Sequence, residues 1–352
     1  MKVILFVPEI YSLCEMLQDG FEANGGTVII ADYQKLINHR VNRFYEKTSG
    51  LPKRITKYWK HAYFNLINKK YLEFCSQEKP DLVVIYNNQF FYPETIEKLK
   101  RDSKIVFILG DNPLWSKTFD YNLAILRHAD LVISPDSHWQ FELSMVGIPN
   151  IVCDYIGYSK KRFFPVSVIP EELLKKYKSD LLFIGRNYVG SSGYKRASFL
   201  NSFAGLNLKV FGTGAWDKWL NDFPALKPHF YPGKGRISQE ELNFAINCTK
   251  IYPIDQNTGI INGLHLRIFE AIGAGALPLV EWRKDIDDVF EGLLPVIKKY
   301  SESKEIARYY LESDKTRIET IEALRTHIES RYTPALFVRR ILVKLGLNKI
   351  NS

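Results

Sequence analysis

Sulfur is scarce in this chain, whose 352 residues include four cysteines and three methionines. Cys14, Cys75, Cys153 and Cys248 are widely scattered, no two have metal-ligand spacing, and each falls in or beside an apolar run. This excludes a disulfide scaffold and a cysteine-ligated zinc module, and buried, reduced thiols in a cytosolic protein are expected. Long apolar stretches are missing as well. With no run of about eighteen apolar residues, no membrane-spanning helix is expected. Residues 1–8 are too short for a signal sequence and read as a first strand.

What is present describes a globular protein of two domains. The length exceeds one typical core, and 46% hydrophobic with 25% charged residues is an ordinary composition. The formal charge of +9 is unevenly placed. Residues 40–70 carry nine Lys/Arg against Glu46 alone, or +8, and residues 337–352 add Arg339, Arg340, Lys344 and Lys349, leaving −3 for the rest.

Short continuous apolar runs alternate with helical patterns, the mark of parallel sheets covered by helices on both faces. Candidate strands are 3–7, 27–31, 82–86, 105–109, 131–134 and 151–153, then 181–184, 208–211, 250–253, 277–280 and 294–297. Residues 11–24, 93–101 and 239–247 read as helices. The pattern breaks within 159–179, so we expect a first Rossmann-like domain over 1–165 and a second over 175–328. Two such halves would form a cleft with ligands at the carboxyl ends of the strands.

The most informative stretch is 261–281, INGLHLRIFEAIGAGALPLVE. Gly263 precedes an apolar-periodic helix carrying Arg267 and Glu270, which breaks at Gly273-Ala-Gly275-Ala276 and runs into a strand. A helix N-terminus offers unpaired N–H groups and a positive dipole end that favour a phosphate. A carboxylate one to two turns on could accept hydrogen bonds from ribose hydroxyls. The plainer alternative is a solvated helix carboxylate paired with its neighbour.

These residues resemble the donor-binding signature of GT-B glycosyltransferases, in particular the spore-maturation-protein-like, group 1 family. Many members of that clan carry paired glutamates here. Glu270 matches the second, whereas Asn262 stands at the first and carries no charge. Further pieces follow the family order over about 180–282: Phe183-Ile-Gly185-Arg186, the cations Lys195 and Arg196 after a small-residue loop, Lys209-Val-Phe-Gly212-Thr-Gly214-Ala-Trp216, and Tyr231-Pro-Gly233 before the helix at 239. The resemblance implies a GT-B fold, α/β with two Rossmann-like domains, and a last segment over 329–352 crossing back to the first domain. It implies a donor site of Gly185, Arg186, Lys195, Arg196, Gly212, Asn262, the backbone of Gly263, Leu264 and His265, Arg267 and Glu270. Trp216 reads as a packing residue.

In the first half, Leu109-Gly110-Asp111-Asn112-Pro113 ends a strand where the resembled family often has an Asp-Pro-like element, and the resemblance makes Asp111 the candidate catalytic residue near the acceptor or reacting centre. An ordinary Asp-Asn-Pro turn is the alternative. His138-Trp139 and Tyr155-Ile-Gly157-Tyr158 are secondary candidates. The Asp-x-Asp element of metal-dependent GT-A enzymes has no convincing counterpart, because Asp285-Ile-Asp287-Asp288 follows the donor helix and strand. We therefore expect no bound metal or cofactor, with helix N-terminus and Arg/Lys stabilising the leaving diphosphate.

Within the basic region, Ile55, Tyr58, Trp59, Ala62, Tyr63, Leu66 and Ile67 recur at helical spacing. Three readings stand open: a helix packed on the first domain, a membrane-surface or lipid-linked-acceptor helix, or a track for an anionic polymer including nucleic acid. The expectation is a retaining, metal-independent transferase moving a sugar from a nucleotide-diphosphate sugar to a glycan, lipid-linked glycan or other anionic acceptor, in the cytoplasm at the inner face of a membrane. A sugar-nucleotide epimerase or hydrolase is the enzymatic rival. A non-catalytic polysaccharide- or nucleic-acid-binding module is the rival from another class.

Overall fold

The computed structural model describes residues 1–115, 121–233 and 237–347, and at Lys53 the main chain alone. Lys349 of the basic terminal stretch lies outside the described residues. The chain divides into two units, Met1–Ile156 joined by the segment from Pro334, and Gly157–Thr333.

The first unit is built on β1 (Lys2–Phe6), β2 (Thr27–Ile30), β3 (Leu82–Tyr86), β4 (Lys104–Ile108), β5 (Leu131–Ser134) and β6 (Ile151–Cys153), in the order β2-β1-β3-β4-β5-β6. Every neighbouring pair is parallel, with Val3 opposite Leu82 and Val83 opposite Ile105. Apolar side chains on both faces demand cover on both, and Val3, Ile4, Leu5, Val83, Val84 and Ile85 are fully buried. Each such side chain contributes roughly 1.5–3 kcal/mol.

The second unit repeats the plan with β7 (Ser179–Asn187), β8 (Leu208–Gly214), β9 (Phe230–Pro232), β10 (Thr249–Ile254), β11 (Leu277–Glu281) and β12 (Val296–Ile297). Its order is β12-β11-β10-β7-β8-β9, again parallel throughout. The fold class is as expected, and each strand anticipated from the apolar runs is present within a few residues. The unanticipated strand is β9. It is three residues long, ends in Pro232 and, among the described residues, pairs with β8 alone, and an edge is where a sheet tolerates proline.

The second unit begins at Gly157, so residues 159–179 belong to it. They are fastened there: Phe164 N donates to Asn243 Oδ1 at 3.2 Å and Val166 N to Asn247 Oδ1 at 2.8 Å. At the far end Pro334 separates the helices Asp314–Arg331 and Pro334–Lys344. The latter packs on the helix Ser12–Ala23 of the first unit: a Cβ at Gly20 would stand 2.5 Å from Pro334 O, and Asn24 Nδ2 donates to Ala335 O at 3.0 Å. Arg340 closes the arrangement with a two-pronged ion pair to Asp154, at 2.7 and 2.8 Å.

The basic region folds as two helices, His39–Thr48 and Lys53–Glu78. Here the expected packing stripe is corrected. Tyr63 and Ile67 are buried as expected and Trp59 and Leu66 half-buried, but Ile55, Tyr58 and Ala62 are exposed, and Thr56, Phe64, Asn68, Tyr71 and Cys75 complete the buried face in their place. Hydrogen bonds select this face. Asn68 donates to Phe90 O at 2.9 Å and accepts from Tyr92 N at 2.8 Å, while Tyr63 OH donates to Asn42 Oδ1 at 2.9 Å. Among the described residues no helix is long and apolar enough to cross a membrane.

Candidate functional site

In the second sheet the strand order reverses at β7 and β10, which are neighbours while their following strands, β8 and β11, lie on opposite sides. The carboxyl ends of two such strands leave a crevice that no helical crossover fills. Gly185, Arg186 and Asn187 end β7, Asp255 and Gln256 follow β10, and the helix Arg267–Ala274 begins nearby.

Aromatic and cationic groups gather there. The Arg267 guanidinium lies 5.7 Å from the ring centre of Phe183, and that of Arg196 lies 5.5 Å from the same ring. A Cβ at Gly185 would stand 2.9 Å from the Phe183 ring and 3.3 Å from Arg267 Nη1, so glycine lets that ring and cation lie against the end of β7. Gly212 serves packing: an added Cβ would stand 2.0 Å from Nε1 of Trp216, a buried indole that donates to Gly185 O at 3.1 Å.

The helix starts later than its apolar spacing suggested. Its first residue is Arg267, Glu270 falls in the first turn, and His265 precedes the helix. Gly275, at φ 94°, ends it, with Gly275 N and Ala276 N both donating to Ala271 O. Arg267 N donates to Nδ1 of His265 at 3.2 Å. Burial, reinforced by Arg267, lowers the His265 pKa to about 3. The ring is therefore neutral, and with Nδ1 accepting, its proton sits on Nε2. Among the described residues, the N–H groups of Leu264, His265 and Leu266 donate to no protein acceptor. Leu264 itself is a core side chain, and Gly263 is buried. Asn262 O accepts from Asp285 N at 2.9 Å, tying this loop to the next helix.

Burial also pushes the Glu270 carboxyl up to about 7, with Arg267 and Arg162 holding it back. The four expected cations split into two kinds. Lys195 donates to Glu281 and to Gln256 O, and Arg196 donates to Asp255 and to Arg186 O. Both are engaged inside the protein, and burial lowers the Lys195 pKa against the pull of Glu281. Arg186 and Arg267 make no ion pair among the described residues, and Arg186 is exposed. Sequence reasoning missed Asp255, Gln256, Asn187 and Glu281, although position at a strand end could have flagged all four. Asn187 Nδ2, Asp255 Oδ1 and both side-chain polar atoms of Gln256 are buried without a partner among the described residues. Unmatched polar groups are costly, so such a cluster marks a place completed by a polar ligand or water.

In the first unit, Asp111 follows β4 and is exposed. Asn87, just past β3, clamps its loop: Oδ1 accepts from Gly110 N at 2.7 Å and from Asp111 N at 3.2 Å, and Nδ2 donates to Asp111 Oδ2 at 3.0 Å. Asn87, Gln89 and Phe90 all have positive φ, a strained loop held by the Asn68 bond to Phe90 O. A shallow hollow open to solvent lies between Asn87, Asn88, Leu109, Asp111, Pro113 and Asn122. The secondary candidates are mostly structural. Trp139 and Tyr155 are buried, His138 pairs with Glu142 at 3.4 Å, and Tyr158 OH donates to Glu329 at 2.7 Å. No three His, Cys, Asp or Glu side chains converge among the described residues.

Residues 195–342 match the model of a family described as glycosyl transferase-like. No curated protein sequence matches the chain. Solved structures of the same architecture include the sucrose-phosphate synthase from Thermosynechococcus elongatus (TM-score 0.67, 10% identity, 98% of this chain and 99% of that one). They include a glycosyltransferase from Rickettsia africae (0.63, 14%, 100% and 99%) and Anabaena HepE in complex with UDP-glucose (0.62, 13%, 98% and 99%). At these identities the likeness establishes the fold, that of GT-B.

Proposed function

We propose that this GT-B glycosyltransferase moves a sugar from a nucleotide-diphosphate sugar, held by the second unit, to a hydroxyl of a glycan, lipid-linked glycan or other anionic acceptor taken by the first. The observation that carries the reading is the meeting of Arg267, Glu270 and the free N–H groups of Leu264, His265 and Leu266 at the β7/β10 switch point. In this reading the N–H groups, Arg267 and Arg186 take the diphosphate, Glu270 accepts from the ribose hydroxyls, and Asn262 lies near the donor sugar. Arg196 and Lys195 hold the strand ends in place through Asp255 and Glu281 instead of gripping phosphate. The UDP-glucose carried by the Anabaena neighbour supports this class of donor.

Transfer breaks the bond between the anomeric carbon and the diphosphate oxygen and forms one to the acceptor oxygen. Charge developing on the diphosphate meets fixed donors and cations, which supply stabilisation without a metal ion. Asp111 accepts the hydrogen bond of the attacking hydroxyl and then its proton. The reading includes retention of configuration, the acceptor oxygen entering on the face that the diphosphate leaves, no cofactor, and work in the cytoplasm at the inner face of a membrane.

A thermal-shift screen against UDP-, GDP-, ADP- and CMP-sugars tests the donor site, since a ligand that binds only the native state raises its melting temperature. At least one of the four should do so, and Glu270→Ala should remove the shift. Donor consumed without any acceptor would point to the epimerase or hydrolase instead. NMR of the product's anomeric proton decides the stereochemistry.

A further inference from the structure

The two basic helices of the first unit turn apolar side chains to solvent. Val41, Phe44, Leu51, Ile55 and Tyr58 are all exposed, Tyr58 by 81%. Ile55, Tyr58 and Ala62 share one face of the helix Lys53–Glu78, spaced by three and four residues. Phe44 of the preceding helix lies 6.0 Å from the Trp59 ring, so the apolar side chains of both helices adjoin. The same two helices carry Arg40, Arg43, Lys47, Arg54, Lys57 and Lys60, all exposed, with Lys60 turned to the other side, over the Phe64 ring at 5.5 Å. The first five make no ion pair among the described residues, whereas Lys69 and Lys70, farther along, share Glu73.

We propose that this face seats on an anionic lipid bilayer, its apolar side chains entering the boundary between headgroups and acyl chains and its cations meeting the headgroups. The proposal rests on the membrane-side location given above and assigns that location to particular residues. Charge and chemistry select this occupant. A second copy of the chain would bring the same unpaired cations face to face. A nucleic acid would take the cations, but Val41, Leu51 and Ile55 offer it neither stacking nor hydrogen bonds. A bilayer interface uses both sets of side chains.

Flotation of the full chain with vesicles tests this, comparing equimolar phosphatidylcholine and phosphatidylglycerol with phosphatidylcholine alone. Binding should be confined to the anionic vesicles and weaken with salt. Ile55→Ser with Tyr58→Ser, and separately Arg54→Glu with Lys57→Glu, should each lower vesicle affinity at least about tenfold. Neither pair should alter the circular dichroism spectrum, because the side chains point to solvent. Equal binding to both vesicle types overturns the proposal. So does an unchanged affinity in the serine pair, the result expected if an anionic polymer such as DNA were the partner. Nucleotide-sugar binding is read separately by thermal shift. A chain that takes the donor yet ignores vesicles sinks the bilayer proposal alone, and the reverse outcome sinks the donor-site reading alone.

Discussion

Arg196 donates through Nε to Asp255 Oδ2 at 2.9 Å, with both side chains more than nine-tenths buried. Removing one member of a buried pair strands the other charge and costs about 3–5 kcal/mol. Arg196→Met should therefore lower unfolding free energy by that amount in urea titrations. Arg196→Met combined with Asp255→Leu should recover much of it. Lost activity in the single variant would then report instability, and an undiminished single variant would show that the pair holds nothing together.

Glu270 is expected to trade stability for binding. Its native pKa near 7 exceeds the ordinary 4.5, so the native state retains a proton that the unfolded chain releases. Its contribution to stability is full below pH 4.5 and is lost as pH rises through 7. Glu270→Gln should raise the melting temperature at pH 8 by about 2–4 °C while weakening nucleotide-sugar binding at least about tenfold. In the parent chain, donor affinity should rise from pH 6 to pH 8, and a flat titration profile would remove Glu270 from the site.

His265 carries the opposite slope. Its native pKa of about 3 lies below the ordinary 6.5, so unfolding takes up a proton in acid. Its contribution is present above pH 6.5 and lost as pH falls toward 3. Between pH 4.5 and 6.5 it opposes Glu270. His265→Gln should thus gain melting temperature relative to the parent as the buffer is taken from pH 7 to pH 4, as differential scanning calorimetry can follow.

Arg186 and Lys195 should behave differently. Arg186 is exposed and makes no ion pair among the described residues, so Arg186→Ala should leave stability within about 0.5 kcal/mol while weakening donor binding. Lys195→Met breaks the link to Glu281 and Gln256 O and should lower stability. Calorimetric titration beside urea unfolding separates the two effects.

Asp111→Asn should reduce turnover by about a hundredfold to ten-thousandfold and spare donor affinity. The amide keeps the size of the side chain and loses its basicity. Unchanged turnover would return Asp111 to the role of a turn residue clamped by Asn87.

Both sheets were legible because parallel strands buried on two faces write themselves as unbroken apolar runs, as at β1, β3 and β11. β9 was not, since three edge residues ending in proline carry no such run. The helix Arg267–Ala274 was visible from its periodicity, but its start was not. Leu264 is a core residue outside the helix, so apolar spacing extended the element backward. The amphipathic face of Lys53–Glu78 was misjudged in part because Asn68 enters the interior through hydrogen bonds to the loop groups Phe90 O and Tyr92 N, which apolar spacing cannot register. The same limit hid Asp255 and Gln256, whose importance comes from the strand ends they adjoin.

The docking of Pro334–Lys344 onto Ser12–Ala23 has a bearing on biogenesis. The first sheet can form once β6 is made, but one side of its opening helix stays uncovered until residues 334–344 have left the ribosome. Gly20 and Asp154 wait throughout synthesis of the second unit for Val338 and Arg340. A nascent chain halted after residue 156 would expose that groove to chaperones, so expressing 1–156 alone should give a sticky, loosely packed product.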